Sequence, residues 1–214
     1  MHSPRLRSAL VAVCATAAVS LVGAAPATAA AAHSVTPSAI HASTTPVRAA
    51  SVSPGLTPLT DLFAQRLLLA DKVAAAKYGT GKPIDDPVRE QQILDDVAVR
   101  ATALGLDPEG VKAVFRDQIE ANKLVQRGLY TRWDAHPEER PTERPDLVKE
   151  VRPQLDRITT ELLAALKDTR WLRTSPSCAP RLGVAAVRSA YGHELDTLHV
   201  EGLVRALPSV CADS

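Results

Sequence analysis

Apolar residues recur at helical spacing from Leu59 onward. In the first stretch they fall three or four residues apart and so share one face of a helix, at Leu59, Leu62, Phe63, Leu67, Ala70, Val73 and Ala74. The spacing predicts a helix from about Pro58 to Tyr78. The helix is predicted to end in a loop, Gly79-Thr80-Gly81-Lys82-Pro83. This loop is not predicted to bind phosphate, because it lacks the full spacing of a phosphate-binding loop and follows a helix rather than a strand.

Cap signals predict the next two helices. Asp86 followed by Pro87, and Asp107 followed by Pro108, are each an N-cap residue before a proline in the first helical position. The second helix should run to about Leu104, where Gly105 stops it. The third should run to about Trp133.

A charged, proline-rich loop from His136 to Pro145 precedes the fourth predicted helix. That helix spans about Asp146 to Arg170, and Pro153 near its start predicts an irregular first turn. Two shorter helices follow, at roughly Arg181–Tyr191 and Glu194–Ala206. Alternating strand patterns are absent from the sequence, so we predict an all-α fold, a single helical bundle of about six helices.

The first 29 residues are predicted to be a secretory signal peptide. Arg5 and Arg7 precede an uncharged apolar run, and Ala27-Thr28-Ala29 fits a processing site. A transmembrane anchor is the alternative, but the run is short and ends in that site. Residues 30–55 are rich in Ala, Ser, Thr and Pro, which predicts a disordered leader before a domain at 56–214. Cleavage near Ala29 would leave a secreted or periplasmic protein.

Charge and cysteine content narrow the possible partners. Removal of Arg5 and Arg7 takes the net charge from +1 to −1, which argues against nucleic acid or an anionic membrane as the partner.

Two cysteines remain after cleavage, Cys178 and Cys211, and an even pair in an exported protein favours a disulfide. A zinc site with His193 and His199 is the alternative, although its spacing matches no ligand pattern.

Two cations fall where apolar residues belong. Arg66 lies on the apolar stripe of the first helix, and Lys77 follows eleven residues later, almost three turns on, so it projects from the same face. Two buried cations on one face repel each other unless an anion lies between them. Taken singly, each could instead extend to solvent or pair with a carboxylate.

Other helices carry polar residues at similar positions. On the third helix, Asn122 and Gln126 continue the face of Phe115 and Ile119. Arg152 lies beside apolar residues of the fourth helix. At the start of the second helix, Asp86 and Glu90 flank Arg89, and an ordinary surface ion pair would explain those three residues in isolation.

Together these residues indicate a pocket for a small dianion. They combine four cations with two neutral hydrogen-bonding amides. The sequence contains no Gly-x-Ser-x-Gly motif, no candidate Cys–His pair and no carboxylate cluster for a metal. We therefore expect binding and shaping of an anion rather than covalent attack, with no metal.

The order and spacing of several motifs resemble the exported subclass of the all-helical, AroQ-type chorismate mutases. The resemblance extends from about Leu59 to Cys211 and includes the paired cysteines. The matching stretches are Gln65-Arg66-Leu67, Ala70-Asp71-x-Val73-Ala74 with Lys77, Pro83-Ile84-Asp85-Asp86-x-x-Arg89, Val114-Phe115-x-Asp117-Gln118-Ile119, and Arg152 with Asp156.

The resemblance implies an isomerase that rearranges chorismate to prephenate without a cofactor. It implies that Arg66 and Arg152 grip the two substrate carboxylates, and that Lys77 and Gln126 donate to the breaking ether oxygen. Asp86 and Glu90 would handle the ring hydroxyl, with Arg89 ordering that corner. Asn122 occupies a position where relatives carry a small residue with a hydroxyl group. This residue departs from the family pattern, so the resemblance does not imply its contact with the substrate.

The family likeness also leaves alternatives open. The same cations would serve an isochorismate pyruvate lyase on the same fold, which assays on both substrates would separate. A non-catalytic secreted helical module that binds another protein is a further alternative, and it predicts a large exposed apolar patch. The resemblance implies a homodimer.

Overall fold

The computed structural model describes residues 55–211, which form seven α-helices with no strand among them. The bounds are α1 Thr57–Lys77, α2 Pro87–Ala103, α3 Pro108–Ala135, α4 Arg152–Asp168, α5 Arg170–Arg173, α6 Cys178–Gly192 and α7 Thr197–Arg205. The all-α prediction is confirmed. The signal peptide, its processing site and nearly all of the predicted leader lie outside the described residues.

Aspartate caps fix where several helices begin. Asp86 accepts a hydrogen bond from the backbone N–H of Arg89, and Asp107 accepts from those of Glu109 and Gly110. These bonds satisfy backbone donors that have no partner inside the helix. At the other end of α2, Gly105 has φ +70°, the left-handed conformation that suits a glycine after a helix. Both starts and this stop are as predicted.

The irregular start of the fourth helix is a π-turn, Leu147–Val151, which leads directly into α4. Pro153 has no backbone N–H, so it cannot donate the hydrogen bond that would continue the α-helix toward its N-terminus. The backbone N–H of Arg152 instead bonds to the carbonyl of Leu147, five residues earlier. The side-chain amide of Gln154 donates to the carbonyl of Glu150 at 2.7 Å.

The later helices differ in detail from the prediction. The predicted fourth helix extends to Arg170, but α4 ends at Asp168 and a separate short helix, α5, follows. Helix α6 begins at Cys178, three residues before the predicted start at Arg181. Pro180 is tolerated there because a proline in the first helical turn lacks only an N–H that would have no helical partner.

Helix α1 is the centre of the bundle and packs against α3, α4, α6 and α7, while α2 packs mainly on α3. The largest fully buried side chains include Phe63, Leu67, Phe115 and Leu162. Gly202 of α7 lies so close to its neighbours that a Cβ there would be 2.9 Å from Val125 and 3.0 Å from Leu67. A glycine thus allows α7 to pack tightly against α1 and α3.

A disulfide joins Cys178 to Cys211, as predicted. It ties the start of α6 to the segment that follows α7. Among residues 55–211, no helix is both long and apolar enough to cross a membrane.

A buried histidine joins α1 to the start of α7. The imidazole of His199 contacts Asp71 of α1 through Nε2 at 3.0 Å and Asp196, the cap of α7, through Nδ1 at 2.7 Å. The hydrogen bond to Asp71, followed by that to Asp196, raises the pKa of His199 to about 9 against the opposing effect of burial. A charged His199 therefore stabilises the folded state.

This pKa shift predicts a pH-dependent stability. Because the folded pKa lies above that of the unfolded chain, the stabilisation is complete below about pH 6.5 and is lost as the pH rises through about 9. We expect the free energy of unfolding to fall by about 1–2 kcal/mol more between pH 6 and pH 9.5 in the wild type than in His199→Gln. Urea unfolding at both pH values measures this difference.

The exposed His136 provides the control for His199. A His136→Gln variant should keep the slope of the wild type. An equal pH slope in His199→Gln and the wild type would contradict the assignment.

Candidate active site

A cleft of about 740 Å³ lies among α1, α2, α3 and the π-turn with the start of α4. All eight residues predicted for the site line it. They are Arg66, Lys77, Asp86, Arg89, Glu90, Asn122, Gln126 and Arg152. Residues from four separate stretches of sequence thus meet at one place.

Arg66 lies at the inner wall of the cleft with a side chain only 6 % exposed. Its guanidinium donates to the hydroxyl of Thr159 at 3.2 Å and lies 5.7 Å from the centre of the Phe115 ring. Burial lowers the pKa of Arg66 to about 10, and the charge of Asp156 only partly opposes this. The group remains a cation at neutral pH, and most of its hydrogen-bonding capacity is unused by protein.

Lys77 is the last residue of α1 and is half-buried. Its ammonium donates to two carbonyls of the loop before α2, those of Pro83 at 3.0 Å and Ile84 at 3.4 Å. Burial lowers the pKa of Lys77, and the carboxylates of Asp86 and Glu90 oppose that effect. The loop therefore orients an ammonium whose third N–H remains available.

Gln126 and Asn122 form a hydrogen-bonded pair on α3. The amide nitrogen of Gln126 donates to Oδ1 of Asn122 at 2.7 Å, and Asn122 donates to the backbone carbonyl of Arg66 at 3.4 Å. Gln126 is 3 % exposed, and its Oε1 has no hydrogen-bond partner among the described residues. Asn122 therefore orients Gln126, whose second amide N–H remains available.

The corner formed by Asp86, Arg89 and Glu90 is held by backbone contacts. Glu90 accepts a hydrogen bond from the N–H of Asp86 at 3.1 Å, while Asp86 caps α2. The guanidinium of Arg89 instead donates to Gln92 at 3.4 Å. Among residues 55–211, Arg89 forms no ion pair with either carboxylate, so the ordinary surface ion pair considered for these three residues is not the arrangement found.

Arg152 is the first residue of α4 and is exposed at the edge of the cleft. The π-turn that precedes it sets the direction in which α4 begins. The nearby residues Val151 and Leu155 line the same cleft. An exposed arginine at the edge has room to turn toward a bound ligand.

Sequence reasoning missed several polar residues of the cleft, namely Lys82, Arg100, Lys123 and Thr159. Arg100 donates to Thr160 of α4 at 2.7 Å and pairs with Asp96 of its own helix. Thr159 could have been identified from the sequence, because it lies one turn after Leu155 and Asp156 and therefore shares their face of the helix. The others look like ordinary surface charges until the tertiary contacts are known.

The cations of the cleft outnumber its carboxylates. Seven lysines and arginines line it, against four carboxylates: Asp86, Glu90, Asp96 and Asp156. Among residues 55–211, no carboxylate oxygen lies within 4.0 Å of the charged nitrogens of Arg66, Lys77, Arg89 or Arg152. All four predicted cations thus face the same cleft without an ion-pair partner, while Gln126 adds a neutral donor. This chemistry suits a small anion with more than one acidic group.

Comparisons with known proteins point to one family. Residues 58–127 match the family model of chorismate mutase type II. The chain is 36 % identical to the secreted chorismate mutase of Mycolicibacterium smegmatis over 78 % of this chain and 92 % of that protein. It is 32 % identical to the secreted chorismate mutase of Mycobacterium tuberculosis over 78 % and 83 %, respectively.

A solved structure agrees with these sequence matches. The crystal structure of chorismate mutase from Burkholderia phymatum superposes with a TM-score of 0.71 at 34 % identity, covering 74 % of this chain and 96 % of that one. The all-helical fold is that of a chorismate mutase, which is an isomerase. The chain belongs to the AroQ-type chorismate mutases, in their exported subclass.

Proposed function

We propose that this protein rearranges chorismate to prephenate by a pericyclic step in the cation-rich cleft. One observation carries the proposal. Four cations that form no ion pair within residues 55–211, Arg66, Lys77, Arg89 and Arg152, line the same cleft as the buried donor Gln126. Chorismate is a dianion, so it supplies the negative charge that such a group of cations requires.

Arg66 and Arg152, from two different helices, are assigned to the two substrate carboxylates. Arg66 is buried on α1 and Arg152 lies at the edge on α4. A guanidinium can hold a carboxylate through two parallel hydrogen bonds. Holding both carboxylates fixes the flexible substrate in its compact form, which removes much of the entropic part of the barrier.

Lys77 and Gln126 are assigned to the ether oxygen. In the rearrangement the C–O bond breaks as a C–C bond forms in the same molecule, and negative charge develops on that oxygen. Lys77 has two N–H groups on loop carbonyls, and Gln126 has one on Asn122. Each keeps one N–H for the oxygen, so both donors are oriented before the charge appears.

The hydroxyl of the substrate ring is assigned to the corner at the start of α2. Asp86 and Glu90 both line the cleft, and an ionised carboxylate accepts a hydrogen bond from a hydroxyl. Arg89 adds positive charge there. Asn122 is assigned an indirect role, because its contacts orient Gln126 and join α3 to the backbone of Arg66.

We also infer that the protein works outside the cytoplasm, after cleavage near Ala29, and as a homodimer. The relatives named secreted chorismate mutase support export. The basic and apolar pattern of the first 29 residues supports cleavage there. The homodimer follows from the family resemblance alone.

The reaction is tested by following chorismate consumption and prephenate formation with the mature chain and an Arg66→Ala variant. The variant should lose at least about 10²–10³-fold in kcat/KM, because it removes a positioned charged donor. Arg157→Ala is the matched control, since Arg157 lies on the exposed side of α4 and its one ion-pair partner among the described residues is Glu161. Its kcat/KM should equal that of the wild type.

Absence of chorismate turnover by the folded wild type would exclude the proposed reaction. Release of pyruvate from isochorismate by the same preparation would indicate a lyase. Full activity in Arg66→Ala would place the reaction elsewhere.

The neutral amide of Gln126 predicts a flat pH profile. An amide donates at every pH, so kcat/KM of the wild type should vary by less than about threefold from pH 5.5 to pH 8. In Gln126→Glu the side chain donates only when protonated, so activity should fall as the pH rises through the pKa of the glutamate. Paired pH–rate profiles measure the difference. A steep loss above neutrality in the wild type that Gln126→Glu leaves unchanged would contradict the role of Gln126.

A further inference from the structure

Lys123 is a buried lysine on α3 to which no role has yet been assigned. It follows Asn122 directly, lines the cleft and is 8 % exposed. A buried ammonium is unfavourable unless carboxylates compensate for its lost hydration. Its partners therefore indicate what its charge does.

Three carboxylates surround the ammonium of Lys123. Its Nζ lies 3.2 Å from Glu90, 3.2 Å from Asp85 and 2.5 Å from Glu120. Burial lowers the pKa of Lys123, but the hydrogen bonds to Glu120, Asp85 and Glu90 outweigh that effect and raise the pKa overall. The group is thus a permanent cation that contacts α2, the loop before it and α3.

The three carboxylates do not depend on Lys123 equally. Asp85 also receives two hydrogen bonds from Arg127, at 2.7 and 2.8 Å. Glu120 lies on the same helix as Lys123, one turn away. Among the described residues, Glu90 has Lys123 as its only ion-pair partner. Loss of Lys123 would therefore leave the side chain of Glu90 held only by the N–H of Asp86.

We propose that Lys123 is a positioning residue that holds the carboxylate of Glu90 in place to accept the ring hydroxyl of the substrate. This rests on the proposed function, since it deepens the role given there to Glu90. The Asp86 N–H and the Lys123 ammonium hold the carboxylate from two directions. A carboxylate fixed in this way meets the hydroxyl without first losing side-chain freedom.

The proposal predicts a particular kinetic signature. The hydroxyl takes no part in the bonds that break and form, so its hydrogen bond is equally strong in the ground state and the transition state. Loss of such a uniform interaction raises KM and leaves kcat little changed. A merely structural role of Lys123 would lower the active fraction, which reduces kcat and leaves KM unchanged.

A double-mutant cycle tests whether Lys123 acts through Glu90. Lys123→Met should raise KM for chorismate about tenfold and change kcat by less than about threefold. In a Glu90→Gln background, Lys123→Met should raise KM by less than about twofold, because the carboxylate that it positions is gone. Lys123→Arg should keep KM within about threefold of the wild type, since it retains a cation at this place.

Arg127→Met is the matched control. It removes the other cation on Asp85, but Arg127 is exposed and does not line the cleft, so KM and kcat should match the wild type. Should Lys123→Met fail to fold by circular dichroism, Lys123→Gln replaces it in the same cycle with the same criterion.

Two results overturn the proposal, and they differ from failure of the proposed function. An equal rise in KM from Lys123→Met in both backgrounds would mean that Lys123 acts on the substrate without Glu90. A fall in kcat with unchanged KM would mean a structural role. If the wild type fails to convert chorismate, the proposed function itself fails, and the role of Lys123 fails with it.

Discussion

A buried guanidinium that has no carboxylate partner in the described part of the chain is the constraint on which the cleft depends. Arg66 is placed on the central helix by the same apolar spacing that forms the core, and its guanidinium contacts the hydroxyl of Thr159 and the ring of Phe115. Burial of such a cation is unfavourable in the free protein. The remaining structure therefore leaves space beside it where an anion can relieve that cost.

Lys77 and Gln126 are oriented by hydrogen bonds that leave one N–H of each side chain for a ligand. Loop carbonyls hold Lys77, and Asn122 holds Gln126. The N-cap of α2 fixes Glu90 near the same space. Helix caps and loop turns thus serve two purposes, since they begin the helices and also aim the side chains that line the cleft. Such preorganisation is what stabilisation of a developing charge requires.

Much of this arrangement is predictable from the sequence because its signals are local. The caps Asp86 and Asp107, the stop at Gly105 and the irregular turn before Pro153 each follow from a few adjacent residues. The eight predicted site residues were found through misplaced polarity on helix faces and through family resemblance. All of them line one cleft.

The features that escaped prediction depend on contacts between distant segments. Lys123 looks like a solvated surface lysine until Asp85 and Glu90 are brought to it from another part of the chain. The pairing of Arg100 with Thr160 crosses from α2 to α4 in the same way. The short helix α5 was missed because four residues are too few to establish a periodicity.

A crystal structure with a stable bicyclic dianion that mimics the rearranging substrate would test the assigned roles most directly. Arg66 and Arg152 should each hold one carboxylate. Nζ of Lys77 and Nε2 of Gln126 should lie about 2.7–3.2 Å from the bridging ether oxygen. A ligand bound outside this cleft, or bound with Arg66 still contacting only Thr159 and Phe115, would contradict these roles.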